Sequence, residues 1–384
     1  MIASHVVLKN WRNFQTVDID LDERVFLVGP NASGKSNFLD AFRFLRDIAK
    51  PGGGLQKAVS DRGGLSKIRC LAARRYSDVE IAVDLAEAAG EPSIWQYSIG
   101  IRQQARGYRY PLLRYERVWK NGRMILDRPD RSDQNDELRL TQTHLEQISA
   151  NAGFRDIAKF LEAVLYLHLV PQLVRHPEAF TGPGIPGDPY GRSFLEHVAR
   201  SPKNIRQSRL RRIGDALRIA VPQLNELTFT QDDMGVPHLE ATYEHWRPHG
   251  GKQREDQFSD GTLRLLGLLW ALMESDSLLL LEEPELSLNT AIVSRLAPLI
   301  SKLQRQRKRQ VIVSTHSADL LSDKGIGGEE AFLLEPDKEG TTVRRVSDIQ
   351  DVRDLLECGL SVADAVIPRT VPKQATQLEI AFPD

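Results

Sequence analysis

The segment Gly29-Pro30-Asn31-Ala32-Ser33-Gly34-Lys35-Ser36 constrains this chain more than any other. It fits GxxxxGK[ST], and it joins an apolar run, Val25-Phe26-Leu27-Val28, to a helix-period pattern through Phe38, Leu39, Phe42, Leu45 and Ile48. A strand that turns through such a loop into a helix aims successive backbone N–H groups, and the positive end of the helix dipole, at one anion. In that arrangement Lys35 bridges the β- and γ-phosphates of a nucleoside triphosphate, and the Ser36 hydroxyl ligates Mg2+. Pro51 with Gly52-Gly53-Gly54 ends the helix.

Around this unit the pattern changes along the chain. Alternation through Val6, Leu8, Val17, Ile19 and Leu21 predicts two or three opening strands. Residues 67–125 alternate again, and Asn121-Gly122 predicts a hairpin between Tyr115–Trp119 and Met124–Leu126. From about 138 to 222 the spacing becomes helical, as in Leu145, Ile148, Phe154, Ile157 and Leu161, broken by the Pro/Gly-rich loop 181–189, which reads as a mobile connection. No heptads persist, which argues against a long coiled-coil arm. Beyond residue 258 a helix (263–274), an apolar strand (278–281), a helix (290–304) and a strand (311–314) alternate as in a parallel α/β sheet.

Both late strands end in reactive groups. Leu278-Leu279-Leu280-Leu281 delivers Glu282 and Glu283 to the edge where open α/β sheets bind ligands. Neighbours on a strand face opposite ways, so the two carboxylates have different work: Glu282 toward Mg2+, Glu283 toward the attacking water. Val311-Ile312-Val313-Ser314-Thr315 leads to His316, placed for a γ-phosphate at the same edge. Ser259 caps the helix that follows it, and Gly261 admits a phosphate close to that helix N-terminus.

Composition narrows the rest. A formal net charge of −1 over 384 residues argues against a globally basic nucleic-acid binder, so any such surface is local. The stretch Arg200, Lys203, Arg206, Arg209, Arg211, Arg212, Arg218 is one candidate, with a solvated helix or a surface for an acidic partner as the alternative. Cys70 and Cys358 form no CxxC pair, which removes zinc ribbons and disulfide scaffolds and fits a reducing cytoplasm. The start lacks signal-peptide features, and the apolar run 263–273 is too short to span a bilayer. A nuclease centre is not legible: His245 and His249 lack an HNH context, and Glu335-Pro336-Asp337 is isolated.

With these motifs in place, the sequence resembles the SMC/RecF-like branch of ABC ATPases, near the AAA family ATPases with an OLD-like or RecF-like head. The resemblance rests on Lys9-Asn10-Trp11-Arg12-Asn13-Phe14, the loop from Gly29 to Asn37, Phe258-Ser259-Asp260-Gly261-Thr262-Leu263-Arg264, Leu281-Glu282-Glu283-Pro284-Glu285-Leu286-Ser287-Leu288 and Ser314-Thr315-His316-Ser317. It implies an α/β P-loop NTPase fold, an ABC-type head with a β-rich lobe and an inserted helical subdomain. It also implies a dimer of two copies holding two ATP molecules, each between one copy's P-loop and the other's Ser259-Asp260-Gly261 signature. Arg12 and Asn13 look like the family's nucleotide-contacting segment, and Gln172 like its Mg2+-sensing glutamine. The signature carries Asp260 and Thr262 where transporter relatives have Gly and Gln, Glu282 stands for the usual Asp, and Asn289 for another.

The implied organisation is a head split into 1–90 and 255–345, a β-rich continuation at 91–137, an inserted lid at 138–254 and a tail at 346–384. The implied role is an ATPase that controls a separately encoded effector, such as a nuclease, in DNA maintenance or anti-phage defence. A stand-alone RecF-like repair clamp and a slow nucleotide-switched scaffold are the alternatives.

Overall fold

A computed structural model describes residues 1–73, 78–104, 109–179, 188–244 and 251–372. The chain opens with β1 (Ile2–Trp11), β2 (Phe14–Asp20) and β3 (Arg24–Val28), and β3 feeds the phosphate loop and the helix Lys35–Ala49. Four more strands follow: β4 (Val79–Ala86), β5 (Trp95–Gln103), β6 (Pro111–Lys120) and β7 (Arg123–Arg128). They complete a six-stranded antiparallel sheet in the order β2-β1-β4-β5-β6-β7, and Asn121 and Gly122 make the last hairpin with the positive φ that such turns need.

The second large sheet collects strands from all along the chain. After β8 (Leu165–Leu167), a three-stranded antiparallel sheet of β9 (Leu224–Gln231), β10 (Pro237–Tyr243) and β11 (Lys252–Arg254) intervenes. Then come β12 (Leu279–Glu282), β13 (Val311–Thr315), β14 (Ala331–Asp337) and β15 (Gly340–Arg345). The order is β15-β14-β3-β13-β12-β8, parallel except for β15.

This parallel sheet is buried on both faces, which is why its strands read as continuous apolar runs. Val25, Leu27, Leu280, Ile312 and Phe332 enter one core with the Lys35–Ala49 helix and the antiparallel sheet. Phe26, Val28, Leu279, Leu281, Val313 and Leu333 enter the other, against the helix Asp260–Glu274. That helix is buried on nearly every side, as its all-round apolar sequence demands.

Three sequence expectations shift. Within the stretch read as helical, Leu165–Leu167 is the edge strand beside β12; three residues are too few for periodicity to reveal, and pairing to Leu279–Leu281 decides. Residues 224–254 hold the small sheet where a lid of helices was expected. The helix expected at 290–304 is two pieces, Thr290–Val293 and Leu296–Arg307, because Pro298 is accommodated only in a first turn. The tail contributes the helices Gln350–Glu357 and Val362–Thr370, whose Val352, Val362 and Val366 are buried. Most of the loop 181–189, and His245 and His249, lie outside the described residues.

Candidate nucleotide site

Residues on one strand face share a direction with every second neighbour, so Glu282 lies on the same face as Leu280, the face that carries the Lys35–Ala49 helix. Ser36 stands in the first turn of that helix. The structure joins the two residues: the Ser36 hydroxyl donates to Glu282 Oε1 across 246 positions of sequence. The other carboxylate oxygen accepts from the Tyr166 hydroxyl of β8, and the His168 ring lies 3.2 Å from the Glu282 carbonyl. Burial, with Glu282 beside it, pushes the Tyr166 phenol far up, so it stays protonated and donates. A hydroxyl and a carboxylate in contact are hard-oxygen donors of the kind Mg2+ takes beside phosphate and water, so the pair fits that ion. Among the described residues no group of three His, Cys, Asp or Glu side chains gathers to hold a metal.

Lys35 is buried and folds back on its own loop, its Nζ donating to the carbonyls of Gly29 at 2.8 Å and Pro30 at 3.0 Å. Desolvation lowers its pKa, opposed by Glu283, Glu282 and Glu285. Asn31 and Ala32 form the exposed crest, while Ser33 is buried with its hydroxyl unpartnered. Gly34 sits at φ +98°, and a Cβ there would fall 2.1 Å from the Asn13 amide, so only glycine fits.

Glu283 does not continue the strand: its φ is 45°, and its N–H donates to the Ser314 carbonyl at 2.9 Å. Its carboxylate meets His316 Nδ1 at 3.1 Å. The two glutamates therefore do diverge. Glu285 is buried and accepts from the Thr315 hydroxyl at 2.5 Å, and desolvation raises its pKa.

Arg12 and Asn13 are tied into the scaffold. Asn13 Nδ2 donates to the Ser33 carbonyl (3.0 Å) and to Thr341 Oγ1 (2.7 Å), while its Oδ1 accepts from Asn37 (2.8 Å). Arg12 donates to Asp40 at 3.0 Å and to the Lys67 carbonyl at 3.0 Å. Against the desolvation of burial, Arg62, Arg43 and Arg12 hold the Asp40 carboxyl below its ordinary range. Arg12, Asn13 and Asn37 line a cavity of about 610 Å3 with Ser66, Lys67, Arg69–Ala72 and Lys338–Gly340.

The signature lies elsewhere. Ser259 caps its helix, accepting from the Thr262 N–H at 3.2 Å, and with Gly261 it lines a separate cavity of about 200 Å3. A Cβ on Gly261 would stand 2.7 Å from the Ser287 carbonyl, so within one chain the bare position admits the close packing of that carbonyl. Burial lowers the Arg264 pKa while Asp260, Glu283 and Glu285 oppose it. Gln172 is not gathered with Ser36 and Glu282. Its amide donates to Asp260 at 3.3 Å, beside Arg175, which pairs with the same carboxylate at 2.6 Å, because the short helix Pro171–Arg175 carries it to the signature. The groups that reach Glu282 from this region are Tyr166 and His168, both missed because their stretch reads as helical.

The arginine stretch is no single track. On the helix Lys203–Ala220, Arg209 turns to the Glu274 carbonyl (3.0 Å) and Trp270, and Arg212 to Gln306 (3.2 Å). Arg206 stacks on Phe229 and, with Lys203, Arg211 and Arg218, lines a cavity of about 440 Å3 on another face. A repeat of 3.6 residues per turn divides the charges. No helix among the described residues is long and apolar enough to cross a membrane.

A family model described as "AAA domain, putative AbiEii toxin, Type IV TA system" matches residues 24–323. Endonuclease GajA of Bacillus cereus (strain VD045) is 50% identical over 47 residues, which are 12% of this chain and 8% of that protein, so the matched stretch spans a small part of the relative. A solved structure of the SmcHead bound to the C-winged helix domain of ScpA is similar at a TM-score of 0.52 and 16% identity, over 89% of this chain and 97% of that one. The Smc head domain with an extended coiled coil, bound to the C-terminal domain of ScpA and derived from Pyrococcus furiosus, gives 0.50 at 15% identity over 93% and 99%. Likeness at such identity carries the fold, that of an SMC-head, ABC-type P-loop ATPase.

Proposed function

The chain belongs to the AAA-domain family of AbiEii type matched over residues 24–323, in the SMC/RecF-like branch of ABC ATPases, and from that premise we propose that it binds ATP with Mg2+, hydrolyses it slowly and dimerises on it. The observation that carries the reading is the meeting of Ser36 with Glu282 beside Lys35. In this reading Lys35 exchanges its two loop carbonyls for phosphate oxygens, and the backbone of Gly29–Ser36 with Asn37 cradles the phosphates. Ser36 and Glu282 hold Mg2+, which neutralises developing phosphate charge when bound. Glu283 accepts a proton-bearing hydrogen bond from the attacking water, and His316, 3.1 Å away, holds that carboxylate in place. Asn13 keeps the loop in register, and Arg12 lines the space beside it. Ser259, Asp260 and Gly261 face the nucleotide of a second copy.

The head is taken as 1–90 with 255–345, the β-rich part as 91–137, the insert as 138–254 and the tail as 346–384. We infer further that the ATP state controls a separately encoded effector, such as a nuclease, in anti-phage defence or DNA maintenance. Support comes from the short identity to a protein named as an endonuclease. Nucleic acid, where it takes part, has the Lys203–Arg218 groove available.

Equilibrium binding of a fluorescent ATP analogue, with the mass of Glu283→Gln on size exclusion, tests the reading. Wild type is expected to bind, Lys35→Ala to fail, and Glu283→Gln to double in mass with ATP and Mg2+. Equal binding by Lys35→Ala would end the nucleotide assignment; bound nucleotide without a mass change would end the dimer.

A further inference from the structure

Glu282 has one methylene more than an aspartate, and so one more torsion to hold, at a cost in side-chain entropy, before its carboxylate presents an oxygen reproducibly. The structure supplies a clamp for it. Tyr166 pairs with Leu280 across the parallel ladder, so it stands on the face that Glu282 shares with Leu280. The diagonal reach from Tyr166 to a residue two places along β12 suits a long aromatic side chain. Its hydroxyl donates to Glu282 Oε2 and leaves Oε1 to Ser36. The ring is itself held, only 6% exposed, with the Arg43 guanidinium 4.0 Å from its centroid. Arg43 and Ser36 are seven residues apart on one helix, two turns, so they share a face over the strand ends. The His168 ring lies 3.2 Å from the Glu282 main-chain carbonyl.

We propose that Tyr166 is a positioning residue for metal binding: its hydroxyl locks the far end of Glu282, so that this longer carboxylate does in a fixed pose what an aspartate would do without support. The inference rests on the nucleotide-site reading above. Hydrogen-bond partners of metal-binding carboxylates commonly govern metal affinity by 10–100-fold, through orientation rather than direct contact.

The test is Tyr166→Phe, which removes one oxygen and keeps the ring under Arg43. A fluorescent ATP analogue is titrated into the full chain at a series of Mg2+ concentrations, and also in EDTA. The Mg2+ concentration for half-maximal tight binding is expected to rise about tenfold or more, with the EDTA affinity within twofold of wild type. A merely structural role would move both together. Glu282→Asp serves as the second variant. Its shorter side chain falls away from Tyr166, so adding Tyr166→Phe to it is expected to change the Mg2+ dependence no further. An unchanged Mg2+ requirement in Tyr166→Phe, a parallel loss in EDTA, or additive effects in the double variant would each overturn the inference. Absence of Mg2+-dependent nucleotide binding in wild type would sink the underlying reading instead.

Discussion

Replacing Asn13 by alanine puts the organisation of the phosphate loop to a quantitative test. The side chain makes three bonds: to the Ser33 carbonyl at 3.0 Å, to Thr341 at 2.7 Å and from Asn37 at 2.8 Å. A net hydrogen bond is worth about 1 kcal/mol, and the site is half-buried, so water recovers part of the loss; about 2 kcal/mol remains. Two of the three bonds tie the loop and the helix start to a residue outside them, so about two thirds of that energy falls on the conformation of Gly29–Ser36. A binding-competent state disfavoured by about 1.3 kcal/mol weakens apparent affinity roughly tenfold. Titration of the ATP analogue into Asn13→Ala, alongside urea unfolding, measures both quantities. Binding within twofold of wild type, or a stability loss with no loss of affinity, would refute the claim that Asn13 organises the loop.

Gly261→Ala places a methyl 2.7 Å from the Ser287 carbonyl, so the melting temperature is expected to fall without nucleotide, overpacking costing about 1–3 kcal/mol. An unchanged melting temperature would refute the packing contact, whatever the effect on ATP-dependent dimerisation. Arg209→Ala is expected to lower stability by about 1–2 kcal/mol through the lost Glu274 bond and Trp270 stack, with no change in the salt dependence of any nucleic-acid binding. A shallower salt slope would restore it to a binding track. The hydrogen bond from His197 to Glu274 raises the histidine pKa. Its stabilisation is therefore complete below about pH 6 and fades as the pH climbs through the raised value. The stability gap between wild type and His197→Gln should narrow with rising pH; a constant or widening gap contradicts the pairing.

The phosphate loop, the paired glutamates and His316 are legible in the sequence because each sits at the end of a run whose period declares its element. The alternating apolar positions of β4 and β5 and the Asn121-Gly122 turn declare the antiparallel lobe for the same reason. Local pattern fails where an element is too short to show a period, as in Leu165–Leu167, or where a run of charge wraps a helix, as from Arg200 to Arg218.

What the chain determined by itself is thus the kind of element and the chemistry at its end: a strand, a glycine turn, a lysine, a carboxylate. Which distant groups meet was decided only in three dimensions. Parallel pairing of β8 with β12 brings Tyr166 to Glu282, and the packing of the Lys35–Ala49 helix on the same sheet face brings Ser36 there. The same packing turned Gln172 to Asp260 and set the Ser287 carbonyl close against Gly261. Sequence spacing encodes direction along one element, whereas contact between elements depends on strand order and register, which no single segment contains.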